Sequence, residues 1–260
     1  MRPSALCVLL LWSLAACSSR GTDKRVRIAA ASDLTKAFEE LGRAFQARTQ
    51  IAPEFTFGSS GLLAKQIEQG APFFLFAAAN QSFVWNVVAA GRCDAASVRT
   101  YGRGRIVVWA RDGVIPPARL EDLADETRYK KLAIANPEHA PYGLAAKQAL
   151  QQTGLWARLE PRIVLGENIQ TTMRYARDGN VDVAIVALSL AGVSAGGGYL
   201  AIDQALHEPL DQQLVVCGKG AEADAARRFA DFLTSSEGRD IMTRYGFVLP
   251  EPPPRAEPAP

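Results

Sequence analysis

Two short hydroxyl-bearing turns carry most of the chemistry in this sequence. Ile28-Ala29-Ala30-Ala31-Ser32-Asp33-Leu34 and Gly58-Ser59-Ser60-Gly61 each leave a β-like run and enter a helix. The first amides of a helix have no partner inside it, and the aligned peptide dipoles place partial positive charge there. Two such starts facing one another can hold an oxyanion without any charged side chain. Ala140-Pro141-Tyr142-Gly143 and Glu167-Asn168-Ile169 repeat the pattern further along. Together the four turns offer one small anion the Ser32 and Ser60 hydroxyls and the amides of Tyr142 and Ile169, which is chemistry of recognition rather than of covalent change. Taken singly, each Ser or Asn has the simpler role of capping its own helix. It is the set of four that points to a ligand.

Other reactive side chains are sparse. Lys65, one turn into the second helix, reads as a solvated residue rather than a charge clamp. His139 is a weak candidate for a general base, since no Ser, Cys or carboxylate stands near it at a spacing that argues for a triad. The two histidines, His139 and His207, are far apart, and no Cys or His spacing resembles a metal site. Cys93 and Cys217 sit where small buried hydrophobes would also fit, and unpaired thiols are favoured over a bridge. Trp85, Trp109 and Trp156 fall in apolar patterns and read as core. Asp33 would repel a dianion, so its expected place is as a helix-start cap pointing away from the ligand.

The elements that must position these turns follow from periodicity. Val26 to Ala31 reads as a buried strand, and Leu34, Ala37, Phe38, Leu41 and Phe45 mark an amphipathic helix from Asp33 to about Arg48, capped by Ser32 or Asp33. A strand over 51–57, a helix over 61–68, a strand over 73–77 and a helix after Asn80-Gln81-Ser82, ended by Gly91, complete three alternations, so the sheet is expected to be mostly parallel. A second unit opens with a strand over 105–110. It continues with strands over 132–135, 163–165 and 181–186 and helices over 142–153 and 169–178. A strand over 213–217 and helices over 221–233 and 237–245 close the pattern, followed by Gly246 to Leu249. Two α/β lobes result: 25–104 with 215–249, and 105–214. The turns then fall in the cleft at the carboxyl ends of the strands, where open α/β sheets bind ligands.

The ends of the chain carry separate information. Met1 to Ala16 reads as an export signal, with Arg2, an apolar run from Ala5 to Leu14 and small residues before Cys17. It is too short to span a bilayer as a stable helix. Leu14-Ala15-Ala16-Cys17 resembles the lipobox of bacterial lipoproteins, which implies acylation of Cys17, residues 17–24 as a tether, and an anchored periplasmic or cell-surface location. Residues 250–260 hold six prolines and read as a disordered tail. A formal net charge of +2 gives no reason to expect a nucleic-acid partner.

Several longer motifs, in consistent order from about Val26 to Leu249, resemble the molybdate-binding solute receptors of bacterial ABC importers. They are Ala29-Ala30-Ala31-Ser32-Asp33-Leu34; Gly58-Ser59-Ser60-Gly61 with Gln66-Ile67 and Gly70-Ala71-Pro72; Asn136-Pro137-Glu138-His139-Ala140-Pro141-Tyr142-Gly143; and Arg244-Tyr245-Gly246-Phe247. The Asn136 to Gly143 segment is the most specific. The resemblance implies an α/β, two-lobed periplasmic-binding-protein fold of type II, no enzymatic activity and no cofactor. It also implies molybdate or tungstate as ligand, delivered by a monomer to an inner-membrane ABC permease. Ser32 and Ser60 would donate from the first lobe, Tyr142 and Ile169 through their amides from the second, with Ser59, Ala187 and Ser189 as secondary candidates. Many relatives carry a tyrosine near the strand end before residue 190, where this chain has Val186-Ala187-Leu188-Ser189. Phe74 and Asn80 replace two aspartates usual in the family.

The donor set also bears on selectivity. A fully deprotonated tetrahedral dianion accepts hydrogen bonds and donates none, whereas hydrogen phosphate would bury a proton without an acceptor, at a cost of about 1–3 kcal/mol. Sulfate shares the charge of molybdate and differs in size alone. The rival readings are a receptor for sulfate or another small oxyanion, an enzyme acting on a phosphorylated or acyl substrate in the same cleft, and a degenerate relative that binds nothing. A perturbed His or carboxylate within reach of the turns would mark the enzyme.

Overall fold

The computed structural model describes residues 24–251. The expected export signal, the lipidation site Cys17, residues 17–23 of the tether and residues 252–260 of the tail lie outside the described residues. Lys24, assigned above to the tether, already belongs to a strand.

The first lobe begins with β1 (Lys24–Ala31), a 3-10 turn at Ser32–Leu34, α1 (Thr35–Thr49), β2 (Ile51–Gly58), α2 (Ser60–Glu68), β3 (Leu75–Ala78), α3 (Gln81–Ala89) and β4 (Arg99–Gly104). The second holds β5 (Ile106–Ala110), β6 (Leu132–Ala135), α4 (Pro141–Gln152), α5 (Trp156–Leu159), β7 (Ile163–Gly166), α6 (Ile169–Arg177), β8 (Val183–Ala187), α7 (Leu188–Ala191) and β9 (Gly198–Ala201). The chain then returns to the first lobe with β10 (Leu210–Val216), α8 (Ala221–Leu233) and α9 (Ser236–Arg244).

Each lobe is built on a five-stranded sheet, in the orders β2-β1-β3-β10-β4 and β7-β6-β8-β5-β9. The strands joined through helices pair in parallel, β1 with β2 and β3, and β6 with β7 and β8. The strands near the crossings add antiparallel pairings, β10 with β3 and β4, and β5 with β8 and β9, so both sheets are mixed. The first crossing runs through Arg105, between β4 and β5. The second precedes Leu210, because β10 already belongs to the first sheet. The lobe boundary expected near 215 is therefore corrected: the polar start of β10, Leu210-Asp211-Gln212, hides a strand that its partners define.

The core follows the apolar spacing. α1 buries Ala37, Phe38, Leu41 and Phe45, and these meet α8 and β2 in a cluster where Phe38, Phe45 and Phe55 each pack on Phe229 at ring separations of 5.2–5.8 Å. Such pairs contribute about 0.5–1.5 kcal/mol each beyond area burial. α1 stops at Gln50, which takes the left-handed conformation, φ 58°. Among the tryptophans Trp109 is core, Trp156 is half-buried beneath the Lys147 ammonium, and Trp85 is 48% exposed, contrary to expectation. α3 buries Val84 and Val87, which leaves the two residues between them, Trp85 and Asn86, on the outer face.

Cys93 and Cys217 are disulfide-bonded, which corrects the expectation of unpaired thiols. An isolated antiparallel bridge sets the two residues side by side, Cα to Cα 3.9 Å. The 124-residue separation is a tertiary relation that no local pattern encodes. No helix among the described residues is long and apolar enough to cross a membrane.

Candidate oxyanion site

The four turns converge on one cavity between the lobes. Ser32, Asp33, Ser59 and Ser60 line it from the first lobe, and Tyr142 and Ile169 from the second. Its empty volume is about 190 Å³ counting the mouth open to solvent. Each donor stands at a strand's carboxyl end: Ser32 after β1, Ser60 after β2, Tyr142 past β6, Ile169 past β7. Parallel pairing of β1 with β2 and of β6 with β7 brings each pair of turns into register.

The serines do not cap their helices. The 3-10 turn after β1 and helix α2 both start without a side-chain cap, and the Ser60 hydroxyl instead accepts from the Ala79 amide at 3.0 Å. α4 begins from Ala140 with no side-chain cap and Pro141 at its first position, and Tyr142, the next residue, lines the cavity. α6 differs, since the Asn168 side chain accepts from Thr171 N at 2.9 Å, while Ile169 still reaches the cavity. Helix starts free of caps are the anion-binding form of this geometry. The lining contains no Lys, Arg or His.

Asp33 is the main departure from the sequence reading. It caps nothing. It is 1% exposed and lines the cavity, with Oδ2 accepting from the Tyr142 hydroxyl at 2.9 Å and from Gln212 Nε2 at 2.7 Å. Burial lifts its pKa to about 6, against the downward pull of those two hydrogen bonds. Burial and the neighbouring Asp33 charge push the Tyr142 and Tyr101 hydroxyls well above the usual tyrosine range. Tyr142 thus joins the lobes with its side chain and also lines the cavity. The approach needs Gly104, because a Cβ there would fall on the Tyr142 hydroxyl.

A second set of contacts crosses the cleft on its other flank. The Ser59 hydroxyl donates to the His139 carbonyl at 2.8 Å and lies 2.7 Å from His139 Nδ1. Gly61 N donates to the same carbonyl at 2.9 Å. A Ser distant in sequence does therefore stand beside His139. Among the described residues, however, no carboxylate bonds His139 to orient it, so the pair lacks the third group of a triad.

The secondary candidates divide. Ser59 lines the cavity, but Ala187 and Ser189 do not. Ala187 is fully buried in β8, and the Ser189 hydroxyl donates to the Asp33 carbonyl at 2.8 Å, tying lobe to lobe. Phe74 lies outside the lining, under the Arg27 guanidinium at 5.1 Å, and Asn80 caps α3 through Phe83 N. Lys65 is exposed. No cluster of three or more His, Cys, Asp or Glu suited to a metal occurs among the described residues.

Sequence reasoning passed over Gln212 and the Tyr142 side chain. Gln212 carried a signal: it is a polar residue on the inward phase of β10, flanked by the buried Leu210 and Leu214. The Tyr142 hydroxyl carried none, since its partners come from the other lobe.

Known proteins resemble this chain over most of its length. The family described as bacterial extracellular solute-binding protein matches residues 26–248. The molybdate-binding protein ModA of Rhodobacter capsulatus is 35% identical over 250 residues, covering 95% of this chain and 96% of that one. ModA of Azotobacter vinelandii is 31% identical over 252 residues, covering 95% and 98%. The solved periplasmic molybdate-binding protein of Azotobacter vinelandii superposes with a TM-score of 0.81 at 28% identity, covering 87% of this chain and all of that one.

Proposed function

This chain belongs to the bacterial extracellular solute-binding protein family, and on that premise we propose that it captures molybdate outside the cytoplasm and delivers it to an ABC importer. It is a receptor and not an enzyme. Tungstate, of the same shape and charge, is the second ligand. Delivery is to an inner-membrane permease, by a monomer tethered through an acylated Cys17; the lipobox-like Leu14-Ala15-Ala16-Cys17 supports the tether.

The observation that carries the reading is the convergence of uncapped helix starts from both lobes on one cavity with no cation in its wall. A tetrahedral dianion accepts from every side. The Ser32 and Ser60 hydroxyls and the Tyr142 and Ile169 amides approach from opposite lobes, so one anion satisfies donors that neither lobe could satisfy alone. Binding therefore favours the closed form, and closure is the change a permease can read.

Thermal unfolding of the purified protein with molybdate, tungstate, sulfate and phosphate tests this. A ligand that binds only the native state at about a thousand times its Kd adds about 4 kcal/mol of stability. Molybdate and tungstate are expected to raise Tm by several degrees, with phosphate leaving it unchanged. No shift with molybdate, or an equal shift with phosphate, would overturn the reading.

A further inference from the structure

We propose that Asp33 is a positioning residue whose carboxyl is protonated when the cleft closes on its anion, so that capture takes up one proton; this rests on the oxyanion reading above. The geometry is that of an acid buried between lobes without a counter-charge. Oδ2 accepts from the Tyr142 side chain of α4 and the Gln212 side chain of β10, while Oδ1 is buried with no partner, as is Gln212 Oε1. Gln212 Nε2 also donates to the Tyr142 hydroxyl at 3.0 Å, closing a three-membered network.

Among the described residues no cation balances this network. The titratable groups that act on it are Tyr142 and Tyr101, both neutral. On the elements packed on the Ser32–Leu34 turn, α1, β2, α6 and α7, no titratable side chain is buried. The nearby Lys36 is exposed and paired with Glu39 at 3.3 Å. An ionised Asp33, a buried residue of the cavity wall, would repel a dianion bound there. A neutral carboxyl removes that repulsion, and its proton sits on the otherwise bare Oδ1. It also removes a strong acceptor for the proton of hydrogen phosphate, which keeps the cavity a site for fully deprotonated anions.

The sign follows. With the lobes apart, Asp33 loses Tyr142 and meets water, where a carboxyl titrates near about 3.9. Closure raises the value to about 6, and a dianion alongside raises it further. The proton comes from solvent on capture and returns to it on release. Affinity is therefore greatest at low pH. It falls by up to about tenfold per pH unit as pH rises toward the closed-form value, and is level above it.

Calorimetric titration of the purified protein with molybdate, at about pH 6 in two buffers of different protonation enthalpy, reads the uptake directly. The expected result is uptake approaching one proton per anion, with Kd weakening as pH is raised. Asp33→Asn keeps an acceptor for Tyr142 and Gln212 and is expected to bind molybdate with no uptake and a flat pH profile. Tyr142→Phe removes a hydrogen bond that holds the carboxyl down, and is expected to move the falling limb to higher pH. Binding by the unaltered protein without uptake, uptake that persists in Asp33→Asn, or a Tyr142→Phe profile that does not move would each overturn the inference while leaving the receptor reading intact. Absence of any molybdate binding would overturn both.

Discussion

Ser60 has two jobs that a substitution separates. Its hydroxyl accepts from the Ala79 amide and the residue lines the cavity, so Ser60→Ala leaves a buried N–H unpaired at a cost of about 1–3 kcal/mol in stability. It also removes a charge-assisted donor worth about 1.5–3 kcal/mol, so Kd for molybdate is expected to weaken by about tenfold to a hundredfold. Ser32→Ala, whose residue has no capping role, is expected to weaken binding comparably with little change in Tm. Calorimetry with parallel thermal melts checks both. That Ser32, Ser60, Tyr142 and Ile169 line one cavity was legible because turn chemistry is local: a strand-to-helix junction declares itself. Asp33 was not. Its sequence position suits a cap, and only Tyr142 and Gln212, reaching it from distant parts of the chain, turn it into the cavity wall.

The helix starts work because the backbones of opposite lobes come close. At Gly61 a Cβ would stand 2.9 Å from the His139 carbonyl and 2.9 Å from the Phe83 ring. The ring can turn aside, but the carbonyl belongs to the backbone of the other lobe. Gly61→Ala is therefore expected to hinder closure and to weaken molybdate binding by about tenfold or more, about 1.4 kcal/mol. The unliganded protein should still melt cooperatively, and a variant with unchanged affinity would show that the contact is not part of capture. The long amphipathic elements were readable from spacing, α1 and α8 above all. β4 was not, since its sequence Arg-Thr-Tyr-Gly-Arg-Gly holds two glycines and two arginines and no apolar alternation, and it is a strand because β10 pairs with it. Trp85 was misread because a short apolar run does not reveal which of its neighbours faces the sheet.

The second lobe is an insertion held at its base. The Cys93–Cys217 disulfide closes a loop of chain that contains β5 to β9, fixing both ends of the insertion to the first lobe. Replacing both cysteines with alanine is expected to lower stability by about 2–4 kcal/mol, seen as a lower midpoint in denaturant. Molybdate affinity should be nearly unchanged, since neither cysteine lines the cavity. The two-lobed arrangement could be foreseen from alternating elements and from the resemblance. The return crossing and the bridge could not, because both depend on which strand β10 meets.

At this scale the central claim is that both halves of the molecule grip one tetrahedral anion. Diffraction at the molybdenum absorption edge, from crystals grown with molybdate, locates the metal directly. The expected result is a single anomalous peak in the cavity, with the anion's oxygens within hydrogen-bonding reach of the Ser32 and Ser60 hydroxyls and of the Tyr142 and Ile169 amides. A peak bound to one lobe alone or elsewhere on the surface, or no peak at all, would contradict it.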